Sequence, residues 1–219
     1  RSALSSIFAN KMRSLLTMLG IIIGVGAVIS MISIGEGAKQ KIYESFKNLG
    51  TRLLMVHPAF SRGAVRSDNV QNLKIGDADA IIAQVSGVEK VAPQANLNAQ
   101  VKYLNNNINT QIIGVTPDFL EVLNGKVKSG RFIEDNDVKS IHRVCAIGKS
   151  ASDELFGDAY PVGNIIKIKG INFEIVGLME EKGQTAGQNQ DMQIYVPLTT
   201  FQKRLSGKDV LSSINIKVI

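Results

Sequence analysis

The chain has 219 residues, with 25 Lys and Arg against 19 Asp and Glu, a formal charge of +6. A 44% apolar and 20% charged composition excludes a mainly disordered chain and an acidic solvating tail. One cysteine excludes a disulfide framework and a cysteine-based zinc cluster, and the absence of Trp argues against an aromatic platform for single-stranded nucleic acid.

Residues 1–13 carry Arg1, Lys11 and Arg13, with Leu4, Ile7, Phe8, Met12 and Leu15 at helical spacing. This is an amphipathic segment that suits the inner-leaflet interface or a cytoplasmic partner, or else the first turns of the helix that follows. Next comes SLLTMLGIIIGVGAVISMISIG, residues 14–35, without a charge. As a helix it measures about 33 Å, enough for a hydrocarbon core of roughly 30 Å. A cleaved signal peptide has a shorter apolar run and a small-residue cleavage site, and a core helix seldom runs so long without a charge, so a retained transmembrane helix is the preferred reading. Lys11 and Arg13 flank it on one side and Glu36, among mixed charges, on the other, so residues 1–13 are expected in the cytoplasm and residues 36–219 outside it. Gly20, Gly24 and Ala27 form a small-residue face suited to close helix packing in lipid.

Helical spacing continues through Ile42 and Phe46 to Gly50. A strand is expected over 52–57, a loop over 59–72, a helix over 77–85 and a strand over 88–93. Residues 96–104 and 108–115 read as a hairpin turning at Asn105, Asn106 and Asn107. A short helix (118–123), a strand (127–133), a solvated acidic turn at Glu134, Asp135 and Asp137, a strand (143–147) and a helix (149–156) follow. A second hairpin turns at Lys169-Gly170, and 181–190 reads as a mobile glycine-rich loop. A strand (192–197), a helix (198–205) and an alternating strand (210–218) end the chain. Strand–helix–strand order at both ends suggests an α+β body built from the two ends of the chain, with an insertion between them.

Reaction chemistry is sparse. IGKS at 147–150 lacks the upstream glycine of a phosphate loop. His57 and His142 stand apart from any metal-ligand spacing, the acidic run lacks the order of a calcium loop, and Cys145 in RVCAIG reads as a buried strand residue. No catalytic, metal or cofactor-binding residue is assigned, and the chain by itself is not expected to be an enzyme.

Several strings, in order, carry a family resemblance: NKMRSLLTMLGIIIGVGAVISMISIGEGAKQ, NLGTRLLMVHP, GVTPDFLEV, SGRFIEDND, AIGKSASDELFG, PVGNIIKI, FEIVGLM and IYVPLTTF. Over essentially its whole length the chain resembles the MacB-type (macrolide exporter family) ABC transporter permeases. The resemblance implies an N-terminal transmembrane helix and a periplasmic core domain of porter-like strand–helix–strand units (36–116 and 158–219) with a smaller inserted α/β subdomain (117–157). It implies an inner-membrane efflux permease that dimerises and takes motion from a cytoplasmic ABC ATPase domain or subunit, where ATP and Mg would bind. Three further membrane helices are expected beyond these residues, and residue 1 is not expected to be the native start. A periplasmic adaptor and an outer-membrane channel are implied partners, and nucleic acid is not. Polarity and glycine content put adaptor-facing loops at 59–72, with Arg62 and Arg66, and at 183–190, with Gln184 and Gln188. Macrolide, peptide and lipid-linked substrates remain open, as do a lipoprotein-releasing or cell-division permease of similar plan and a single-pass sensor.

Overall fold

The computed structural model describes residues 11–49, 52–58, 72–182, 184, 185 and 188–219. The chain forms two compact units, one through Lys47 and one from Asn48 onward.

Helix α1 runs Lys11–Leu49, 39 residues, or about 58 Å at the usual helical rise. Its Ile21, Ile22, Ile23 and Met31 are exposed around the whole circumference rather than along one stripe. A helix apolar on every side satisfies its backbone internally and asks for an apolar surrounding, not for a one-sided core. Lys11–Gln40 is long and apolar enough to cross a membrane.

The second unit holds β1 (Leu53–Val56), α2 (Ile75–Gln84), β2 (Val88–Tyr103), β3 (Asn106–Val115), α3 (Asp118–Val122), β4 (Val127–Gly130), α4 (Asp135–Lys139), β5 (Val144–Ile147), α5 (Lys149–Phe156), β6 (Ile165–Ile168) and β7 (Ile171–Met179). Then follow the two-residue strands β8 (Gln184–Thr185) and β9 (Gln188–Asn189), β10 (Ile194–Pro197), α6 (Leu198–Thr200) and β11 (Ser213–Val218). The strands order as β1-β11-β2-β3-β10-β5-β7-β4. The last strand therefore lies between the first two, and the body is built from both ends of the chain as expected.

One feature was invisible in the order of elements. β6 pairs antiparallel with both β2 and β7, at Val101↔Ile168 and Ile166↔Phe173. The pairings thus close a ring of β2, β3, β10, β5, β7 and β6. Alternation along each strand then splits the apolar residues in two. Cys145, Ile147, Ile166, Ile168, Phe173, Ile175, Ile194 and Val196 fill one core, while Ala146, Val144, Tyr195, Ile113 and Val115 join Phe119 and Phe132 in a second core on the opposite face. Each fully buried Ile or Phe contributes about 1.5–3 kcal/mol by leaving water.

The structure departs from the sequence expectations at five places. Residues 88–93 and 96–104 are one 16-residue strand, β2, that runs through Pro93. Gln94 O accepts from Ser212 N and Asn96 N donates to Ser212 Oγ, so the even-numbered residues address β11. Pro93 therefore turns its missing N–H toward the β3 side, where the ladder has already ended at Gln94↔Val115. The hairpin turns at Leu104-Asn105, with Leu104 at φ 50°, while Asn106 and Asn107 belong to β3. The acidic run is a helix start rather than a turn: Glu134 and Asp135 are exposed where α4 begins, whereas Asp137 is buried and accepts from Glu134 N. Within 181–190 the strands β8 and β9 pair with each other, so this is not an unstructured loop throughout. The helix expected over 198–205 becomes a wide π turn at Phe201–Ser206, closed by Gly207 at φ 66°. The second hairpin forms at Lys169 and Gly170, with φ of 50° and 83°.

The segment 117–157 supplies α3, β4, α4, β5 and α5. Its β5 lies between β10 and β7, and β4 lies beyond β7.

Candidate functional site

Gly20, Gly24 and Ala27 lie on one side of α1, and a Cβ built on either glycine would meet nothing within 4 Å among the described residues. That face is open to a second helix. Lys11, Arg13 and Glu36 lie on the same helix and are exposed. Thr17 turns its hydroxyl back onto the carbonyls of Arg13 and Ser14, each at 3.0 Å, so it adds no free polar group to the apolar stretch.

The body begins and ends at one place. β1 and β11 pair antiparallel from Leu53↔Lys217 to Val56↔Ile214, and Val218 N donates to Arg52 O at 3.0 Å. A chain that enters through β1 leaves through β11 alongside it. Beside this point Lys217 bridges Glu89 and Glu121, and Lys90 bridges Glu121 and Asp118, joining β11, β2 and α3. All are exposed pairs, so they set orientation more than stability.

Asp137 anchors a second polar cluster. Its carboxylate accepts from Arg131 Nη1 at 2.6 Å and Nη2 at 3.2 Å, from Glu134 N at 3.0 Å, and lies 3.1 Å from His142 Nδ1. Burial pushes this carboxyl up, but the Arg131 and Glu134 hydrogen bonds, the His142 contact and the Arg131 charge outweigh it and hold it below its ordinary value. Both oxygens are occupied, and the cluster fastens α4 to the end of β4.

The IGKS string has a structural explanation as well. Gly148 N donates to Gln193 O at 2.9 Å, and a Cβ there would run into the Asp191 carbonyl. This glycine permits close backbone approach. Cys145 is buried in the first core, and burial pushes its thiol far above the ordinary range.

Arg62 and Arg66, the residues expected to face a partner, lie outside the described residues, as does the loop from 59 to 71. Gln184 and Gln188 fall on β8 and β9, with Thr185 opposite Gln188.

The sequence reading missed a cleft of about 370 Å³ on the face of the sheet that carries the second core. Gln94 and Asn96 of β2, Gln111 of β3, Gln193 beside β10, and Ser213 and Asn215 of β11 line its floor. Phe119, Leu120, Leu123 and Met179 form an apolar wall. Tyr195 Oη donates to Gln193 Oε1 at 3.0 Å, and Gln193 Nε2 donates to Gln111 Oε1 at 3.0 Å. Asn215 Nδ2 donates to Gln94 Oε1 at 3.1 Å. The available signal was a polar residue at every second position of strands otherwise rich in Ile and Val, which a one-sided sheet also explains.

Comparison with known proteins agrees with this architecture. The profile of the MacB-like periplasmic core domain matches residues 14–219. A macrolide export ATP-binding/permease protein MacB of Bdellovibrio bacteriovorus is 38% identical over 96% of this chain and 33% of its own length. Its namesake from Neisseria gonorrhoeae is 32% identical over 100% of this chain and 34% of its own length. The chain thus spans about a third of the curated relatives it matches. Two solved structures share the fold. The periplasmic region of MacB from Actinobacillus actinomycetemcomitans has a TM-score of 0.66 at 24% identity, covering 81% of this chain and 79% of its own. The extracellular domain of the ABC-type transporter YknZ from Gram-positive bacteria has a TM-score of 0.62 at 22% identity, covering 75% and 83%. From the profile match across nearly all of its length, the chain belongs to the MacB-like periplasmic core domain family.

Proposed function

We propose that the chain is the first membrane helix and periplasmic core domain of an ABC-type exporter permease in the inner membrane. The observation that carries this is the pairing of β1 with β11. In sequence the apolar helix precedes β1, and β11 pairs beside β1, which suits a domain held between two consecutive membrane helices. In this reading residues 14–35 cross the bilayer, residues 1–13 lie in the cytoplasm near the ATPase, and Lys11, Arg13 and Glu36 mark the two surfaces. Segment 117–157 acts as an inserted subdomain between the porter-like flanks 36–116 and 158–219.

The curated relatives are ATP-binding/permease proteins by name, which supports an ATPase domain or subunit as partner, with ATP and Mg bound there and not in this chain. Gly20, Gly24 and Ala27 would face a second membrane helix, from a second permease copy or the same one. Gln184 and Gln188, with Arg62 and Arg66, would face an adaptor leading to an outer-membrane channel. Motion would pass along α1 from the ATPase to the body and help expel a macrolide-like, peptide or lipid-linked substrate.

Topology is the direct test. In cells stripped of their outer barrier, a membrane-impermeant maleimide should label Asp158→Cys, which is exposed, and not Lys11→Cys, while the native Cys145 is shielded. Labelling of Lys11→Cys with protection of Asp158→Cys would overturn the proposal. Recovery of an ATPase with the full-length protein from cross-linked membranes separates the exporter from a sensor.

A further inference from the structure

We infer that the carboxamide-lined cleft of the second core is a binding site for a peptide segment in extended conformation. The inference stands apart from the exporter proposal, because it rests on the cleft alone.

The first ground is two polar atoms left over. Ser213 and Asn215 are each 1% exposed, and both line the cleft. Ser213 Oγ and Asn215 Oδ1 meet no hydrogen-bond partner among the described residues. A buried polar atom without a partner carries a penalty of about 1–3 kcal/mol, and such atoms call for an explanation. Two on the same strand face, in residues that line the same cleft, are explained together by one ligand.

The second ground is the chemistry of the lining. A carboxamide both donates and accepts, as a peptide bond does, and Gln94, Asn96, Gln111 and Gln193 accompany Asn215. Of the charged groups in the lining, Lys182 and Asp191 are engaged within the protein, while the exposed Glu180 also faces this cleft. Lys182 Nζ donates to Leu123 O at 2.7 Å, and Asp191 Oδ1 accepts from Lys182 N at 2.8 Å.

The third ground is spacing. Ser213 and Asn215 are two residues apart on a strand, about 6.5–7 Å. Backbone groups on one edge of an extended peptide repeat at the same interval, so a segment lying along β11 can answer both atoms. Its side chains then meet the wall of Phe119, Leu120, Leu123 and Met179. A volume of about 370 Å³ suits a short segment and lies at the lower end of ordinary ligand clefts, about 300–1,000 Å³.

The test uses the full chain in detergent micelles and a blocked tripeptide, acetyl-Ala-Leu-Ala-amide. NMR of the side-chain amide groups should show saturable shifts at Asn215, Gln111 and Gln193. Ser213→Ala, a near-isosteric change that removes only an unpartnered hydroxyl, should leave thermal stability equal or slightly raised and weaken binding about five- to tenfold. Asn96→Ala, on the neighbouring strand, should weaken binding while the fold is retained. Absence of saturable shifts at millimolar tripeptide would overturn the inference. So would equal affinity of the wild type and Ser213→Ala, or binding of methyl glucoside as tight as that of the tripeptide, which would mark a hydroxyl site rather than a peptide site.

Discussion

Replacing Asp137 with Ala tests whether the acidic run is a structural fastener. The Asp137 side chain is 2% exposed and joins Arg131, Glu134 N and His142. Hydrogen bonds to charged groups contribute about 1.5–3 kcal/mol, and a lost helix cap costs about 1 kcal/mol. Arg131 is 40% exposed and recovers part of the loss by turning to water. The net loss is then about 2–4 kcal/mol, and for a body of this size the midpoint should fall by about 5–15 °C. The assay is near-UV circular dichroism of the tyrosines during thermal unfolding, with the full chain in micelles and Asp135→Ala as an exposed control on the same helix. The pH dependence gives a second readout. The Asp137 carboxyl is held below its ordinary value of 3.8 in the fold, so its contribution is present above about pH 4 and fades as pH falls through the lowered value. Asp137→Asn should lack that part of the acid-side loss. A midpoint within about 2 °C of Asp135→Ala, or an unchanged acid profile in Asp137→Asn, would refute the reasoning.

Three further outcomes are expected. Gly177→Ala should prevent folding or lower the midpoint by more than the Asp137 change, because its Cβ would run into the Arg131 carbonyl where β7 and β4 pair; a normal melt would contradict this close approach. If Gly20, Gly24 and Ala27 pack against a second helix as proposed, Gly24→Leu in the full-length protein should reduce recovery of assembled permease from membranes; undiminished assembly in detergent would count against a packing face there. If α1 transmits motion as proposed, inserting Gly-Gly-Ser after Glu36 should leave ATP turnover in place and abolish export in the intact transporter, because a stiff helix gains a hinge; export at the native rate would eliminate α1 as the transmitting element.

Residues 14–35 needed no tertiary context to be recognised. An uncharged run of that length has a single economical solution in its own backbone, a helix in an apolar medium, and α1 is where the spacing puts it. The second hairpin was equally legible, because Lys169-Gly170 supplies the left-handed backbone its turn requires. Likewise β1, β5, β7, β10 and β11 follow from short apolar runs bounded by glycine, proline and polar residues.

Other features depended on which segments meet across the fold. Pro93 reads locally as a strand end, yet β2 passes through it, since β3 has already stopped on the side that would need its N–H. Asp137 reads as solvated until Arg131 and His142 arrive from either side of α4. Closure of the ring through β6 depends on Ile168 reaching Val101, a pairing between residues far apart in sequence that no local propensity encodes. The cleft is the furthest from local reach. Gln94, Gln111, Gln193 and Asn215 lie on or beside four strands, and only the sheet order and register bring them to one face. Sequence periodicity sets which residues alternate; the long-range pairing decides which of them become neighbours.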